Sequence, residues 1–181
     1  MTVHLVTGGA RSGKSRFAEQ LAAMAARPTE ICFVATGVAM DAEMEARIAR
    51  HRRDRPAEWR TLEVRHDVAK AIEDGEYKVY LIDCLSLLLN NWMFDLACTE
   101  TLFWRKLDDL TAALAASSAT CIVVTNEIGL GLVPADAESR RYRDWLGWMN
   151  QAIAQMADRV YFVASGIAID LKQLPGSVVV R

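Results

Sequence analysis

This 181-residue chain lacks most of the features that would assign it to a specialised class. Its four cysteines, Cys32, Cys84, Cys98 and Cys121, show no metal-ligand spacing. Three of them lie in or beside apolar runs, where a buried free thiol is the expected state. A reducing cytoplasm fits that usage. Charge of one sign is also missing: the formal net charge is −2, so no global basic surface points to nucleic acid. No apolar run approaches the roughly 20 residues of a membrane span. The most apolar later stretch, Leu85–Leu96, is interrupted by Asn90, Asn91 and Asp95. There is no internal repeat, low-complexity segment or linker, and the N-terminus does not read as a signal peptide. With 52% apolar and 24% charged residues, the chain is expected to form one globular domain, residues 1–181, with a sizeable core.

What is present begins at the N-terminus. Gly8-Gly9-Ala10-Arg11-Ser12-Gly13-Lys14-Ser15 satisfies the P-loop template G-x-x-x-x-G-K-[ST] in full. The apolar run Val3–Thr7 before it reads as a strand. Lys14–Ala26 after it reads as a helix, with Phe17, Leu21 and Met24 at helical spacing. Glycines let the backbone turn tightly and aim successive N–H groups at phosphate oxygens, and the helix N-terminus adds partial positive charge. Lys14 would reach the β- and γ-phosphates and the Ser15 hydroxyl would bind Mg²⁺. The competing reading, a glycine-rich turn that matches by chance, leaves the flanking strand and helix unexplained.

Further along, Ile31–Ala35 reads as a strand ending at Thr36-Gly37. A helix over about Ala42–Arg53 follows, with Asp41 as N-cap and Met40, Met44 and Ile48 toward the core. Another face carries Glu43, Arg47, Arg50, His51 and Asp54, beside Arg52, Arg53 and Arg55, before Pro56 stops the helix. Five arginines and one histidine between Arg47 and Arg55 allow two readings. One is a solvated basic face with an incidental histidine. The other is an anion site in which arginines hold phosphate and His51 acts as base or nucleophile.

Trp59–Val64 is a candidate third strand and Asp67–Glu73 a short helix capped by Asp67. Val79–Ile82 is a buried strand ending in Asp83, the position of a Walker B carboxylate that helps hold Mg²⁺. Leu85–Leu96 is read as core, the alternative being a surface for an apolar substrate or a neighbouring subunit. A helix from Thr99 or Glu100 to Ser117 buries Leu102, Phe103, Leu107, Leu110 and Leu114. Ala119–Thr125 is another buried strand. It leads into Asn126–Pro134, where Glu127 lies beyond a strand's carboxyl end and could act as a base. A long helix over Ala137–Ala157 buries Tyr142, Trp145, Leu146, Met149, Ile153 and Met156; Trp148 lies off that stripe. Val160–Ala164 is a strand, and Ile167–Lys172 and Val178–Val180 are candidate short edge strands. His4 and His66 read as structural. Strands alternating with helices behind a P-loop predict a three-layer α/β fold with a mostly parallel sheet.

Four stretches together resemble the bifunctional adenosylcobinamide kinase / adenosylcobinamide-phosphate guanylyltransferase family of cobalamin biosynthesis, over nearly the whole chain. They are Thr7–Ser15 with Ala18-Glu19; Ala35-Thr36 with Asp41-x-Glu43-Met44-x-x-Arg47-Ile48-x-x-His51-x-x-x-Arg55-Pro56-x-x-Trp59; Leu81-Ile82-Asp83-Cys84-Leu85; and Asn126-Glu127-x-Gly129-x-Gly131-x-Val133-Pro134 with Arg140-x-x-Arg143-Asp144-x-x-Gly147 and Asn150-Gln151. The resemblance implies a RecA-like P-loop NTPase fold and a homotrimer. It implies that a nucleoside triphosphate phosphorylates the aminopropanol hydroxyl of adenosylcobinamide. GTP then gives GMP to a histidine, and the GMP passes to the new phosphate. That histidine maps onto His51, and guanine-nucleotide contacts map onto Gly8–Ser15, Ala35, Thr36, Gly37, Arg52, Arg53, Asp54, Arg55, Glu63 and Asp83. Lys14 and a Mg²⁺ on Ser15 and Asp83 would serve the kinase step, with ATP or GTP as donor and Glu127 as the base. Asp54, nearly one turn after His51, is a candidate to orient the ring. The chain departs from the family at Glu63-Val64, Ala135-Asp136, Trp145 and Trp148. A member with one half-reaction, or a nucleotide-switched binding module, are the alternatives; a mere switch has no need of a nucleophile.

Overall fold

A computed structural model describes residues 2–37, 46, 49, 53 and 55–179. Its strands are β1 (Thr2–Thr7), β2 (Ile31–Ala35), β3 (Arg60–Glu63), β4 (Val79–Asp83), β5 (Thr120–Val124), β6 (Arg159–Ala164) and β7 (Ile167–Asp170). Among the described residues, its α-helices with stated bounds are α1 (Lys14–Ala25), α2 (Val68–Glu73), α3 (Leu85–Asp95), α4 (Glu100–Ala116) and α5 (Ala137–Met156). The strands form one sheet in the order β3-β2-β4-β5-β1-β6-β7. Every neighbouring pair is parallel except β6 and β7, which are antiparallel. Ala46, Ala49 and Arg53 are helical, in keeping with the helix expected there; the rest of that segment lies outside the described residues.

Alternation along the strands gives the sheet two buried faces. Val3, Leu5, Cys32, Val34, Tyr80, Ile82, Cys121 and Val123 face α2–α5 and form the larger core with Leu85, Leu88, Trp92, Phe103 and Leu146. Val6, Ile31, Phe33, Val79, Leu81, Ile122 and Val124 face α1. Helices on both sides of a mostly parallel sheet make the three layers expected from the sequence.

The α1 stripe differs from the expected one. Phe17 and Leu21 are partly buried, but Met24 is 78% exposed, and the inward face is Lys14, Ala18 and Ala22. The P-loop fixes the rotation of the helix that leaves it, and two alanines let that helix lie close to the sheet. Asp67 stands at the N-cap of α2, yet its carboxylate takes Lys106 Nζ of α4 at 3.0 Å rather than a helix N–H. At the C-terminus Ile167–Asp170 pairs with β6. Asp170 then accepts from Lys172 N and turns the chain into a 3-10 segment, Leu171–Gln173. Val178 and Val179 form no strand, correcting the expectation of a second one there.

Leu85–Leu96 is core as far as Met93, after which Phe94 and Leu96 are exposed. Asp136, one of the departures from the family pattern, caps α5 by accepting from Ser139 N at 2.7 Å. The bulky tryptophans stack: Trp145 on Phe103 at 4.8 Å inside the core, and Trp148 on Trp104 at 5.4 Å on the surface.

Packing makes a direct prediction. Phe103→Ala empties a fully buried site between α4 and α5, and its unfolding free energy should fall by about 3–5 kcal/mol. Met24→Ser should stay within about 0.5 kcal/mol of the parent. Urea denaturation of both variants checks the pair.

Candidate functional site

The P-loop follows directly from β1 and is folded tightly against its neighbours. A Cβ at Gly8 would sit 2.3 Å from Val163 O of β6, so only glycine fits. Gly13, with φ of 96°, occupies the left-handed region that favours glycine and opens α1. Gly166, in the β6–β7 turn, donates its N–H to Ser12 O at 2.8 Å. On the other side, Glu127 N donates to Gly8 O at 3.1 Å. The loop is thus braced by the strands flanking β1. Sequence reading missed the contribution of Val163 and Gly166; nothing local marks a turn 150 residues away as the back wall of a phosphate loop.

Inside the loop, Lys14 is buried and its ammonium donates to Gly9 O at 3.1 Å. Ser15 is half-buried at the start of α1. The hydroxyls of Thr7 and Ser12 are buried without a hydrogen-bond partner. A buried polar group left unpaired costs about 1–3 kcal/mol. A bound phosphate would supply the missing acceptors.

Sheet register places the other candidates. Val6, Val124, Asp83, Ala35 and Glu63 are successive partners across β1, β5, β4, β2 and β3. This transverse row at the carboxyl ends of the strands is about 19 Å long, four spacings of about 4.8 Å. It is comparable with an extended nucleoside triphosphate. Asp83 follows Val79 and Leu81 in alternation, so its carboxylate is on the α1 face with Lys14 and Ser15. Arg55 is on that face too, buried, its guanidinium 3.2 Å from the centre of the Phe33 ring and its Nη1 donating to Thr61 Oγ1 at 2.8 Å. Arg53 is exposed on its helix. His51, Arg52 and Asp54 lie outside the described residues. Glu127 is at the P-loop's edge, where its Oε1 accepts from Gly129 N at 2.6 Å.

Behind this edge runs a belt of buried polar contacts that the sequence did not reveal. The Thr36 hydroxyl donates to Cys84 O at 2.7 Å and accepts from Cys84 N at 2.8 Å, joining the ends of β2 and β4. Cys84 Sγ lies 2.9 Å from Ser86 Oγ, which accepts from Asn126 Nδ2 at 2.7 Å. Asn150 Nδ2 donates to Asn126 O, and Thr125 Oγ1 donates to Asn150 Oδ1. The Thr36 side chain is therefore committed to shaping the wall. Asn91 extends the belt: its Nδ2 donates to Thr36 O at 2.8 Å and Arg65 O at 2.9 Å. Farther out, Arg65 and His66 both bind the Asp95 carboxylate. The Arg65 guanidinium, and then His66, hold that carboxyl at about 2. The clip is at full strength above the ordinary carboxylate range and is lost as pH falls toward 2. Burial, reinforced by the Asp83 charge, pushes the Cys84 thiol up to about 11, so the one cysteine at this edge is no thiolate nucleophile. His4 stacks on Tyr161, away from the belt.

A P-loop braced at the carboxyl edge of a mostly parallel sheet, with a carboxylate one strand beyond its neighbour, defines a P-loop nucleotide-binding protein of the α/β class. More specifically, the chain belongs to the cobinamide kinase / cobinamide phosphate guanyltransferase family, whose model matches residues 4–171. It is 43% identical to the bifunctional adenosylcobalamin biosynthesis protein CobP of Pseudomonas aeruginosa, over 94% of this chain and 98% of the relative. It is 38% and 36% identical to the bifunctional adenosylcobalamin biosynthesis proteins CobU of Salmonella typhimurium and Escherichia coli, each over 93% of this chain and 98% of the relative.

Two consequences can be measured. Gly8→Ala should lose nucleotide affinity by at least about tenfold, roughly 1.4 kcal/mol. Gly9→Ala should fold and melt like the parent, since a Cβ there meets nothing within 4 Å. Nucleotide titration and thermal melts compare them. Asn91→Leu should leave two carbonyls without their donor and cost about 1–3 kcal/mol in a melt. It should also raise the nucleotide KM more than it lowers kcat.

Proposed function

We propose that this chain is a bifunctional transferase that phosphorylates adenosylcobinamide and then guanylylates the product, giving adenosylcobinamide-GDP. The observation that carries this reading is the braced P-loop, with its two partnerless buried hydroxyls, at one end of a row that continues through Asp83 and Ala35 to Glu63. Membership of a family named for both activities selects the acceptor.

In the kinase step the aminopropanol hydroxyl oxygen attacks the γ-phosphorus of ATP or GTP. The bond from that phosphorus to the β-bridging oxygen breaks, and the hydroxyl proton leaves to Glu127. Little covalent chemistry is asked of the protein; positioning and charge neutralisation dominate. The N–H groups of Gly8–Ser15 and the Lys14 ammonium hold the phosphates. Ser15 and Asp83 are hard oxygen donors on one face of the sheet, a set that suits Mg²⁺ shared with substrate phosphates. When bound there it would neutralise phosphate charge. Among the described residues no cluster of three or more His, Cys, Asp or Glu side chains is placed to hold a metal by itself.

In the second step a ring nitrogen of His51 attacks the α-phosphorus of GTP and pyrophosphate leaves. A phosphate oxygen of adenosylcobinamide phosphate then attacks the same phosphorus, the P–N bond breaks and His51 is regenerated. Arg52, Arg53 and Arg55 supply positive charge to the phosphates, and Asp54 orients the ring. Ala35–Gly37, Glu63 and Asp83 complete the guanine-nucleotide site. The reading includes a homotrimer, as the family resemblance implies, and a reducing cytoplasmic setting, supported by four free buried cysteines. Among the described residues no helix is long and apolar enough to cross a membrane.

The deciding experiment is incubation with α-labelled GTP and Mg²⁺ followed by denaturation. The protein should retain acid-labile, alkali-stable label, the behaviour of a phosphoramidate. His51→Ala should carry none, and Asp54→Asn should label more slowly. Label persisting in the His51 variant would move the nucleophile elsewhere.

A further inference from the structure

The P-loop and its row account for the nucleotide but leave the acceptor without a seat. Between Glu127 and Asp136 the chain reads Ile-Gly-Leu-Gly-Leu-Val-Pro-Ala, eight residues without a polar or charged side chain. Such a segment is expected to be buried. Instead Leu130 is 82%, Leu132 97% and Val133 67% exposed.

The segment is pinned at both ends. At its start, Glu127 N is bonded to the P-loop at Gly8 O, and Asn126 is held by Ser86 and Asn150. At its end, Arg140 Nη1 donates to Pro134 O at 3.0 Å and Ala135 O at 2.6 Å, and Asp136 caps α5. The structure holds three apolar side chains out in water at the end of a turn that starts beside the phosphate loop.

We propose that Leu130, Leu132 and Val133 form the seat for the macrocycle of the corrinoid substrate. This inference rests on the acceptor named above. The reacting hydroxyl sits at the end of a short arm on a ring system far wider than the arm. The arm alone can reach a γ-phosphate held by Gly8–Ser15, so the macrocycle must rest outside the loop within an arm's length of it. The turn leaving β5 is continuous with that place, because β5 is the immediate neighbour of β1. The periphery of the macrocycle is methyl- and methylene-rich with neutral amides. An apolar, uncharged tip matches it, whereas a phosphate or an acidic partner would find no cation between Glu127 and Asp136. Apolar area so exposed gains most from being covered.

The test uses the full chain and the double variant Leu130→Ser/Leu132→Ser, whose parent side chains make no core contact. Equilibrium dialysis against adenosylcobinamide, followed by its visible absorbance, reads acceptor affinity. Titration with GTP reads nucleotide affinity, and sedimentation reads assembly. The inference expects acceptor affinity to fall by at least about tenfold, with nucleotide affinity and sedimentation unchanged. Leu132→Met, apolar and similar in volume, should bind the corrinoid like the parent. Equal corrinoid affinity in the double variant overturns the inference. So does a changed sedimentation, which would assign the tip to contact between copies. A parent that binds the corrinoid but does not phosphorylate it would sink the kinase reading, while the dialysis comparison still decides the seat.

Discussion

The close approach of Gly8 to Val163 O is the constraint on which the rest depends. It seats the phosphate loop against β6 and makes the β6–β7 turn available to hold Ser12 from behind. With the loop seated, the direction in which α1 leaves is set. That direction buries Lys14, Ala18 and Ala22 and turns Met24 to solvent. A local hydrophobic pattern is thereby overruled by a phosphate-binding geometry. The helix keeps a weakly apolar inner face because its first duty is to present Lys14 and Ser15.

The rest of the carboxyl edge is organised by hydrogen bonds rather than by apolar packing. Parallel strands leave their last backbone groups unpaired just where ligands bind, and buried groups of that kind must find partners. Thr36, Asn91 and Asn150 supply them, and the side chains of Cys84, Ser86 and Asn126 link to one another beside them. The side chains nearest the site therefore divide into two sets. One set is already committed to one another and defines the shape. The other set, the Thr7 and Ser12 hydroxyls, has bonds still to make. Rigid walls with a few unsatisfied polar atoms are what electrostatic preorganisation requires.

Much of this was legible in the sequence. The P-loop template, the strand–helix alternation and the apolar strand ending in Asp83 gave the sheet class, the loop and the carboxylate, because each is a local pattern with a fixed spacing. The four matching stretches gave the family. What stayed hidden was contact between distant segments. Gly166 drew no reading, Asn91 was a polar interruption in an apolar stretch, and Asp67 a helix cap. Their partners lie in other elements, at Ser12, Thr36 and Lys106. Asp136 looked like a departure from a pattern and is a cap for α5, a role any short polar side chain with a free oxygen can fill. Val178 and Val179 satisfied β-propensity but pair with no strand once Asp170 has turned the chain.

Two reactions on different phosphorus atoms of a nucleotide can share one edge only if the edge is long and graded. The row from Val6 to Glu63 is graded in this way. At one end are backbone N–H groups, an ammonium and partnerless hydroxyls, suited to the densest charge of a triphosphate. Asp83 stands between, on the face of Ser15. At the other end Arg55 lies over the Phe33 ring and is tied to Thr61. A stacked guanidinium keeps its charge while losing little freedom on binding. On the proposed reading, a γ-phosphorus held by the loop and an α-phosphorus farther along the row would be addressed by different side chains without moving the sheet. In the proposed sequence the spent nucleotide is exchanged for GTP between the steps, while the acceptor presents first its hydroxyl and then its new phosphate. That favours a seat for the acceptor that lies outside the row.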